Sequence, residues 1–485
     1  MSRIAVRSVV WQGASFLLGR GFNLAATVVL ARLLTPHDFG VVGLALVFIT
    51  FAEYVSDLGV AQALVYFETG QGERDNALLL SLLSGLVLAG VALLAAPLIA
   101  RFFHHPEVAP MVRVLAATLF VSAARQVPDA LLRRALEFRR RVVIQIAQSL
   151  TQGLVSIALA VGGAGPWSIA WGYFAGVAVA WLVTWMRVDY RPQLGGLRLR
   201  REPTRRLLGY GAPAAAQGLL AALIFDVDYI IVGSALGAQA LGIYTLAFRL
   251  PQLLIINVFG VLSSVAFPMY SRAGGDRERL RRGYLTSLRL QTAYGAAAGA
   301  GLFMVAPLVV PVLLGPRWHA SVAALEPLAL YAAARALGAG AVDVYKGMGR
   351  PAIGAVVGAI RLAILVPALL VAVGGGVDAV AWTQAAFALA FAIGMQAVAT
   401  RIVGMSPADL LATLRPGLAL AVGAAAGSGV VRLLVTGIGV PQLIAAVAAG
   451  VAVGLLALRL LDAPFVAETR ALLGRERGPS AVAST

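Results

Sequence analysis

LLLSLLSGLVLAGVALLAAPLI, residues 78–99, carries no ionisable side chain. A helix rises 1.5 Å per residue, so about 20 apolar residues in a row cross the roughly 30 Å of hydrocarbon in a bilayer. This stretch has that length, and a lone buried helix of a soluble domain has no need of it. Similar segments lie at 9–34, 41–64, 111–124, 142–161, 167–185, 207–233, 241–267, 288–314, 322–345, 353–373, 377–402, 417–435 and 442–461. Together they predict an all-α polytopic membrane protein of about fourteen transmembrane helices. The first segment runs too long to be a cleaved signal peptide.

The composition agrees. Of 485 residues, 60% are hydrophobic and only 13% charged, a balance that no soluble core of this size accommodates. There is no cysteine, which excludes a disulfide scaffold, and the four histidines form no ligand pattern. No metal, haem or other cofactor is expected. The formal net charge of +17 would point to nucleic acid in a soluble protein. Here its placement points to the membrane instead, and no nucleic-acid partner is expected.

The bases fall on alternate connections. Arg133, Arg134, Arg139, Arg140 and Arg141 lie between spans four and five, and Arg187 to Arg206 supply seven more between six and seven. Arg272, Arg277, Arg279, Arg281 and Arg282 follow span eight. About thirty bases collect on one face and about five on the other, so the positive-inside rule puts both termini in the cytoplasm. The opposite connections are short, as in Gly162-Gly163-Ala164-Gly165-Pro166, and leave no room for a folded outer domain. His104 and His105 sit on such a connection and read as solvated surface.

Leu34-Thr35-Pro36-His37-Asp38-Phe39-Gly40-Val41-Val42-Gly43-Leu44-Ala45 matches Leu236-Gly237-Ala238-Gln239-Ala240-Leu241-Gly242-Ile243-Tyr244-Thr245-Leu246-Ala247 at Leu, Phe/Leu, Gly, Leu and Ala. The constant offset of about 202 residues marks an internal repeat. Each copy joins the first two spans of a six-span block, so the repeat is parallel and transporter-like. The predicted organisation is a six-helix lobe at 1–206, a second at 207–402, two further helices at 403–461 and a cytoplasmic tail at 462–485.

Leu30-Ala31-Arg32-Leu33-Leu34-Thr35-Pro36-His37-Asp38-Phe39-Gly40 resembles the first-loop signature of Wzx-type polysaccharide transporters. So do Ser56-Asp57-Leu58-Gly59-Val60, Phe102-Phe103-His104-His105-Pro106-Glu107 and Leu132-Arg133-Arg134-Ala135-Leu136-Glu137-Phe138-Arg139. The resemblance covers most of the first twelve spans and is strongest over residues 1–200. It implies the multidrug/oligosaccharidyl-lipid/polysaccharide exporter superfamily, a V-shaped pair of six-helix lobes, and flipping of undecaprenyl-diphosphate-linked oligosaccharide across the bacterial cytoplasmic (inner) membrane. The implied partners are the lipid-linked oligosaccharide, membrane lipids, and the polysaccharide polymerase and glycosyltransferases of the same route.

An ionised side chain at mid-bilayer costs about 2.5–3.5 kcal/mol, so each one needs a reason. Arg20, Arg335 and Arg361 lie near the middle of spans one, ten and eleven, and Arg249 in the outer third of span eight. Guanidinium stays charged and grips oxyanions bidentately, which suits a diphosphate. Asn23 shares the face of Arg20. These five are the candidate substrate residues, the alternative for each arginine being a structural ion pair. Glu53, Asp57, Asp226, Asp228 and Asp343 are candidates for ion coupling or lumen ion pairs. An Arg20–Glu53 pair is geometrically plausible, Asp343 and Lys346 are placed to neutralise each other, and Asp57 also fits a structural role in its Ser-Asp-Leu-Gly turn. Gln145, Gln148 and Gln152 stripe span five, either for sugar hydroxyls or for interhelical hydrogen bonds. Pro213 and Pro251 are expected to kink spans seven and eight.

Competing activities remain open. A cation-coupled multidrug exporter and a peptidoglycan-precursor flippase share the superfamily. A membrane polymerase or ligase would need a sizeable outer loop, which the chain lacks, and no nucleotide-sugar or P-loop motif is present, so the chain is not expected to be an enzyme.

Overall fold

The computed structural model describes residues 21–193, 198–259, 270, 276–348, 351–435 and 437–462. Among these every regular element is helical. In chain order the helices are α1 (Gly21–Leu33), α2 (Pro36–Ser56), α3 (Val60–Tyr66), α4 (Gln71–Phe102), α5 (Val108–Arg134), α6 (Phe138–Val161) and α7 (Trp167–Arg187). They continue as α8 (Arg201–Pro251), α9 (Arg277–Val309), α10 (Ser321–Gly347), α11 (Pro351–Ala372), α12 (Gly376–Val403), α13 (Pro407–Leu434) and α14 (Val440–Leu461).

Eleven helical runs are long and apolar enough to cross a membrane. Two of them, Ala222–Phe259 and Val356–Val403, each hold two spans, divided at Gly237 (φ 81°) and at the 3-10 turn Val373–Gly375. Counting those runs twice and adding Gly21–Leu33 gives the expected fourteen. The protein is a multi-pass membrane protein.

Local chemistry fixes the ends. Thr35 caps α2: its Oγ1 accepts from the Asp38 N–H at 3.2 Å, its own N–H donates to Asp38 Oδ2 at 2.8 Å, and Pro36 occupies the first turn. Ser406, Pro407 and Asp409 repeat the same box at the start of α13, with bonds of 3.1 and 3.0 Å. Such boxes satisfy helix-end donors where each span begins.

Three boundaries differ from the sequence reading. Span four does not stop at Ala124. Arg125, Gln126 and Asp129 continue α5 to Arg134, because a polar side chain facing protein costs the helix nothing in lipid contact. Span two breaks instead of running to Leu64: Leu58 (φ 46°) and Gly59 (φ 71°) turn left-handed, and Asp57 Oδ1 accepts the Ala61 N–H at 3.2 Å to restart the helix as α3. Pro213 lies within unbroken helix, whereas Pro251 leads directly into a π turn, Gln252–Ile256.

The chain divides into two compact units, residues 1–246 with 358–380, and residues 247–357 with 381–485. In the first, α4 packs on α5, α6 on α7, and α5 on both α2 and α7. The start of α2 also meets the α8 break: a Cβ on Gly40 would overlap the carbonyl of Ala238, and one on Gly242 the carbonyl of Pro36. His105 belongs to this contact. Its Nε2 accepts the Ala238 N–H at 3.0 Å, so the expectation of a solvated surface histidine is corrected. At the arginine-rich end, buried Asp75 accepts from the Tyr190 hydroxyl at 2.6 Å. Burial, and then the carboxylate, hold that hydroxyl far above the usual phenol range, so it stays a donor.

In the second unit α9 packs on α10 and α13, and α13 on α14. Gly423 and Gly427 face Gly454 and Gly450 so closely that an added Cβ on either α13 glycine would meet α14 backbone. This is the small-residue packing that lets membrane helices approach without a hydrophobic driving force. Arg281 pairs with Asp409 at 2.8 Å, and Arg289 grips Asp462 with Nη2 at 2.7 and 2.9 Å from its two oxygens.

Candidate functional site

A polar cluster among the described transmembrane residues lies in the first unit, on α2, α5, α6 and α7. Glu53 Oε1 accepts from Ser122 Oγ at 3.0 Å, and the Tyr173 hydroxyl lies 3.4 Å from both carboxylate oxygens. Arg125, one helical turn after Ser122, reaches Gln148 Oε1 at 3.4 Å, a long contact. All five are partly exposed. The helices place them for simple reasons. Ser122 and Arg125 are three apart and share a face of α5; the α2–α5 and α5–α7 packing then brings Glu53 and Tyr173 to that face. The arrangement combines a carboxylate, a guanidinium, a phenol, a hydroxyl and an amide, a donor–acceptor set that can hydrogen-bond sugar and phosphate oxygens.

The predicted residues are distributed more widely than one site. Arg20 lies outside the described residues, so the Arg20–Glu53 pair is not described; the partners seen on Glu53 are Ser122 and Tyr173. Asn23 is half-buried on α1, and its carbonyl accepts from Thr27 Oγ1 at 2.8 Å. Asp57 carries the cap of α3 described above. Asp228 is buried (2% exposed), with its Oδ2 2.5 Å from the Tyr244 hydroxyl, and Asp226 is half-buried on the same helix. Arg361 is half-buried in the first unit, and its Nε and Nη2 are enclosed without a hydrogen-bond partner among the described residues.

In the second unit, Arg335 Nη1 donates to the Tyr331 hydroxyl at 3.1 Å, with the guanidinium carbon 5.7 Å from the ring centre. Arg249 is exposed on α8. Asp343 is buried at 8% exposure, and the Lys346 side chain expected to neutralise it lies outside the described residues. No group of three or more metal-ligating side chains occurs among the described residues.

Sequence reading missed Ser122, Arg125, Tyr173 and Tyr244. Ending span four at Ala124 put Arg125 into a loop and hid its spacing to Ser122. Nothing in the local sequence around Tyr173 or Tyr244 marks either as a carboxylate partner, since tyrosine is ordinary in a membrane helix.

The fold is that of known lipid and drug transporters. The chain superposes on the lipid II flippase MurJ in an inward closed conformation with a TM-score of 0.75, covering 94% of this chain and 100% of that one at 13% identity. An inward-facing multidrug resistance MATE family transporter of the MOP superfamily matches with a TM-score of 0.68 over 82% of this chain and 98% of that one, at 18% identity. These likenesses define the class by fold: a polytopic helical membrane protein built like those two. Residues 29–323 match the family model described as Polysaccharide biosynthesis protein, and the chain belongs to that family.

Its relatives include the lipopolysaccharide biosynthesis protein WzxC of Escherichia coli strain K12, 26% identical over 68% of this chain and 67% of that protein. The succinoglycan biosynthesis transport protein ExoT of Rhizobium meliloti is 25% identical over 68% and 66%. The teichuronic acid biosynthesis protein TuaB of Bacillus subtilis is 24% identical over 59% of each chain. The matched part thus spans about two thirds or less of those relatives.

Proposed function

We propose that the protein translocates a lipid-diphosphate-linked oligosaccharide across the bacterial cytoplasmic membrane by alternating access, as a transporter and not a catalyst. The observation that carries this reading is the half-buried cluster of Glu53, Ser122, Arg125, Gln148 and Tyr173 within the membrane-spanning helices. Polar groups at membrane depth are expensive and are kept where a hydrophilic cargo passes. Glycan hydroxyls exchange hydrogen bonds with such a wall while the lipid tail stays in hydrocarbon. Arg361, with two enclosed donors unmet among the described residues, is assigned to the diphosphate, and Arg20, Asn23, Arg249 and Arg335 to the remaining polar path. Family membership and relatives named for lipopolysaccharide, teichuronic acid and succinoglycan biosynthesis support a glycan cargo.

In this reading the halves 1–206 and 207–402 rock about the bound headgroup, residues 403–461 form an accessory pair, and 462–485 a cytoplasmic tail. Both termini are cytoplasmic, and polymerase and glycosyltransferases act before and after the flipping step. The test is a proteoliposome assay with fluorescent lipid-diphosphate oligosaccharide and an impermeant quencher. Protein-dependent loss of protected signal is expected, and its absence with active protein would reject the reading.

A second reading, cation-coupled drug export, is favoured by one feature: two acids, Asp226 and Asp228, lie within two residues on one membrane helix, and buried Asp228 accepts from the Tyr244 hydroxyl. Uptake of a lipophilic cation into the same vesicles, driven by a sodium or proton gradient, would support it over the first.

A further inference from the structure

A second, separate polar site lies where α8 begins, at the arginine-rich end of the first unit. Leu199, Arg200, Arg201, Thr204 and Arg205 line a cavity of about 410 Å³. Three of the five carry guanidinium groups. Among the described residues none of the three forms an ion pair, whereas the adjacent Arg206 is held by Glu73 at 3.0 Å. The wall is built rather than incidental. Asn76 on α4, fully buried, receives the Arg200 N–H on its Oδ1 at 2.7 Å and donates through Nδ2 to Thr204 Oγ1 at 3.1 Å. This clamp fixes the segment ahead of α8 against α4 and holds the cavity's lining in place.

Three exposed guanidinium groups around one cavity, with Glu202 the one acid in the same helical turn, repel one another, and an anion lowers that repulsion. The first turn of α8 lines the same cavity and adds the positive end of its dipole. Guanidinium forks match the paired oxygens of phosphate, and a phosphate offers several such oxygens to three forks at once. The volume holds a phosphate or diphosphate group with its first waters, since liquid water occupies about 30 Å³ per molecule. The cavity also opens at the end of a membrane-crossing helix, where phosphate esters of lipids reside.

We infer that Arg200, Arg201 and Arg205 form a phosphate-binding site at the membrane surface, separate from the Glu53 cluster and independent of the transport reading. The shared ligand chemistry is a phosphate ester anion, supplied either by an anionic phospholipid headgroup or by a soluble phosphate.

The test uses the full purified chain in neutral detergent, titrated with inorganic pyrophosphate and, separately, with dihexanoyl phosphatidylglycerol, each followed by calorimetry. Saturable binding of at least one is expected, weakening as salt screens it. Arg200→Gln/Arg201→Gln/Arg205→Gln should lower that affinity by about tenfold or more, as loss of charge-assisted bonds predicts. Arg198→Gln, a charge loss at a residue that does not line the cavity, should leave it within about twofold. The Lys-substituted triple variant keeps charge and fold and should fall between the two. Tighter binding of the lipid assigns the source to the headgroup, and tighter binding of pyrophosphate to a soluble anion. If neither probe binds, if the Gln triple variant binds as wild type, or if Arg198→Gln falls as far as the triple, the inference is wrong.

Discussion

Gly40 and Gly242 occupy equivalent positions of the internal repeat, and each lies against the carbonyl of the residue four positions before the other. Gly40 abuts Ala238 and Gly242 abuts Pro36, while Pro36 and Ala238 are themselves equivalent. The contact is reciprocal: each copy of the motif places its glycine on the backbone of the other. Leu44 and its repeat equivalent Leu246 are both fully enclosed nearby.

Gly40→Ala and Gly242→Ala should therefore behave alike. Each adds a Cβ where a backbone carbonyl already sits, and overpacking of this kind typically costs about 1–3 kcal/mol. Both variants should melt earlier in detergent and lose most transport. The chain has no cysteine, so Ala238→Cys can be labelled cleanly. An impermeant maleimide should label it faster in either glycine variant, and unchanged labelling and activity would show that the approach is not needed.

The Glu53 cluster invites a double-mutant cycle. Glu53→Gln and Tyr173→Phe should each reduce transport, and the pair should show a coupling of about 0.5–3 kcal/mol, as for residues in one hydrogen-bond network. Strict additivity would mean that the 3.4 Å contact carries no energy.

Arg361 separates stability from function. Its enclosed Nε and Nη2 lack hydrogen-bond partners among the described residues, and such groups cost about 1–3 kcal/mol or more when charged. Arg361→Leu should raise the melting temperature and abolish flipping. Arg361→Lys, which keeps charge but not the bidentate fork, should retain part of the activity. Wild-type flipping by the leucine variant would remove Arg361 from the site.

Topology can be read with reporter fusions. Fusions after Pro192 and Asp276 should report the cytoplasm, and fusions after Gly163 and Gly374 the opposite side, following the arginine bias. A consistent reversal of either pair contradicts the orientation of the spans.

The spans were legible because lipid imposes a single requirement, long runs of apolar residues, on every helix that crosses it. The interior was less so. Glu53, Asp228 and Arg361 stand out in a hydropathy profile, because a charge within lipid is exceptional. Ser122, Tyr173 and Tyr244 do not, because hydroxyl residues are tolerated on any membrane helix and their role depends on which helix lies opposite. Arg125 was lost for another reason: polarity at the end of span four looked like a loop, whereas α5 faces protein there and continues. Asp57, four residues after Glu53 on the same face, reads as a candidate for ion coupling, with the turn as the alternative. The left-handed pair Leu58-Gly59 that it caps is a local backbone event visible only in coordinates.

The last two helices carry a consequence for how the chain is made. Synthesis proceeds from the N-terminus, so α9 is in the membrane before α13 and α14 leave the ribosome. Until then Arg281 and Arg289 on α9 lack Asp409 and Asp462. Gly423, Gly427, Gly450 and Gly454 allow α13 and α14 to close on each other first, as a hairpin, with Gly417 left to settle against the Thr292 backbone. Docking of that hairpin then neutralises both waiting arginines in one event. The C-terminal pair thus completes α9: a chain without α13 and α14 would leave Arg281 and Arg289 without these two carboxylates and their glycine-lined seam unfilled.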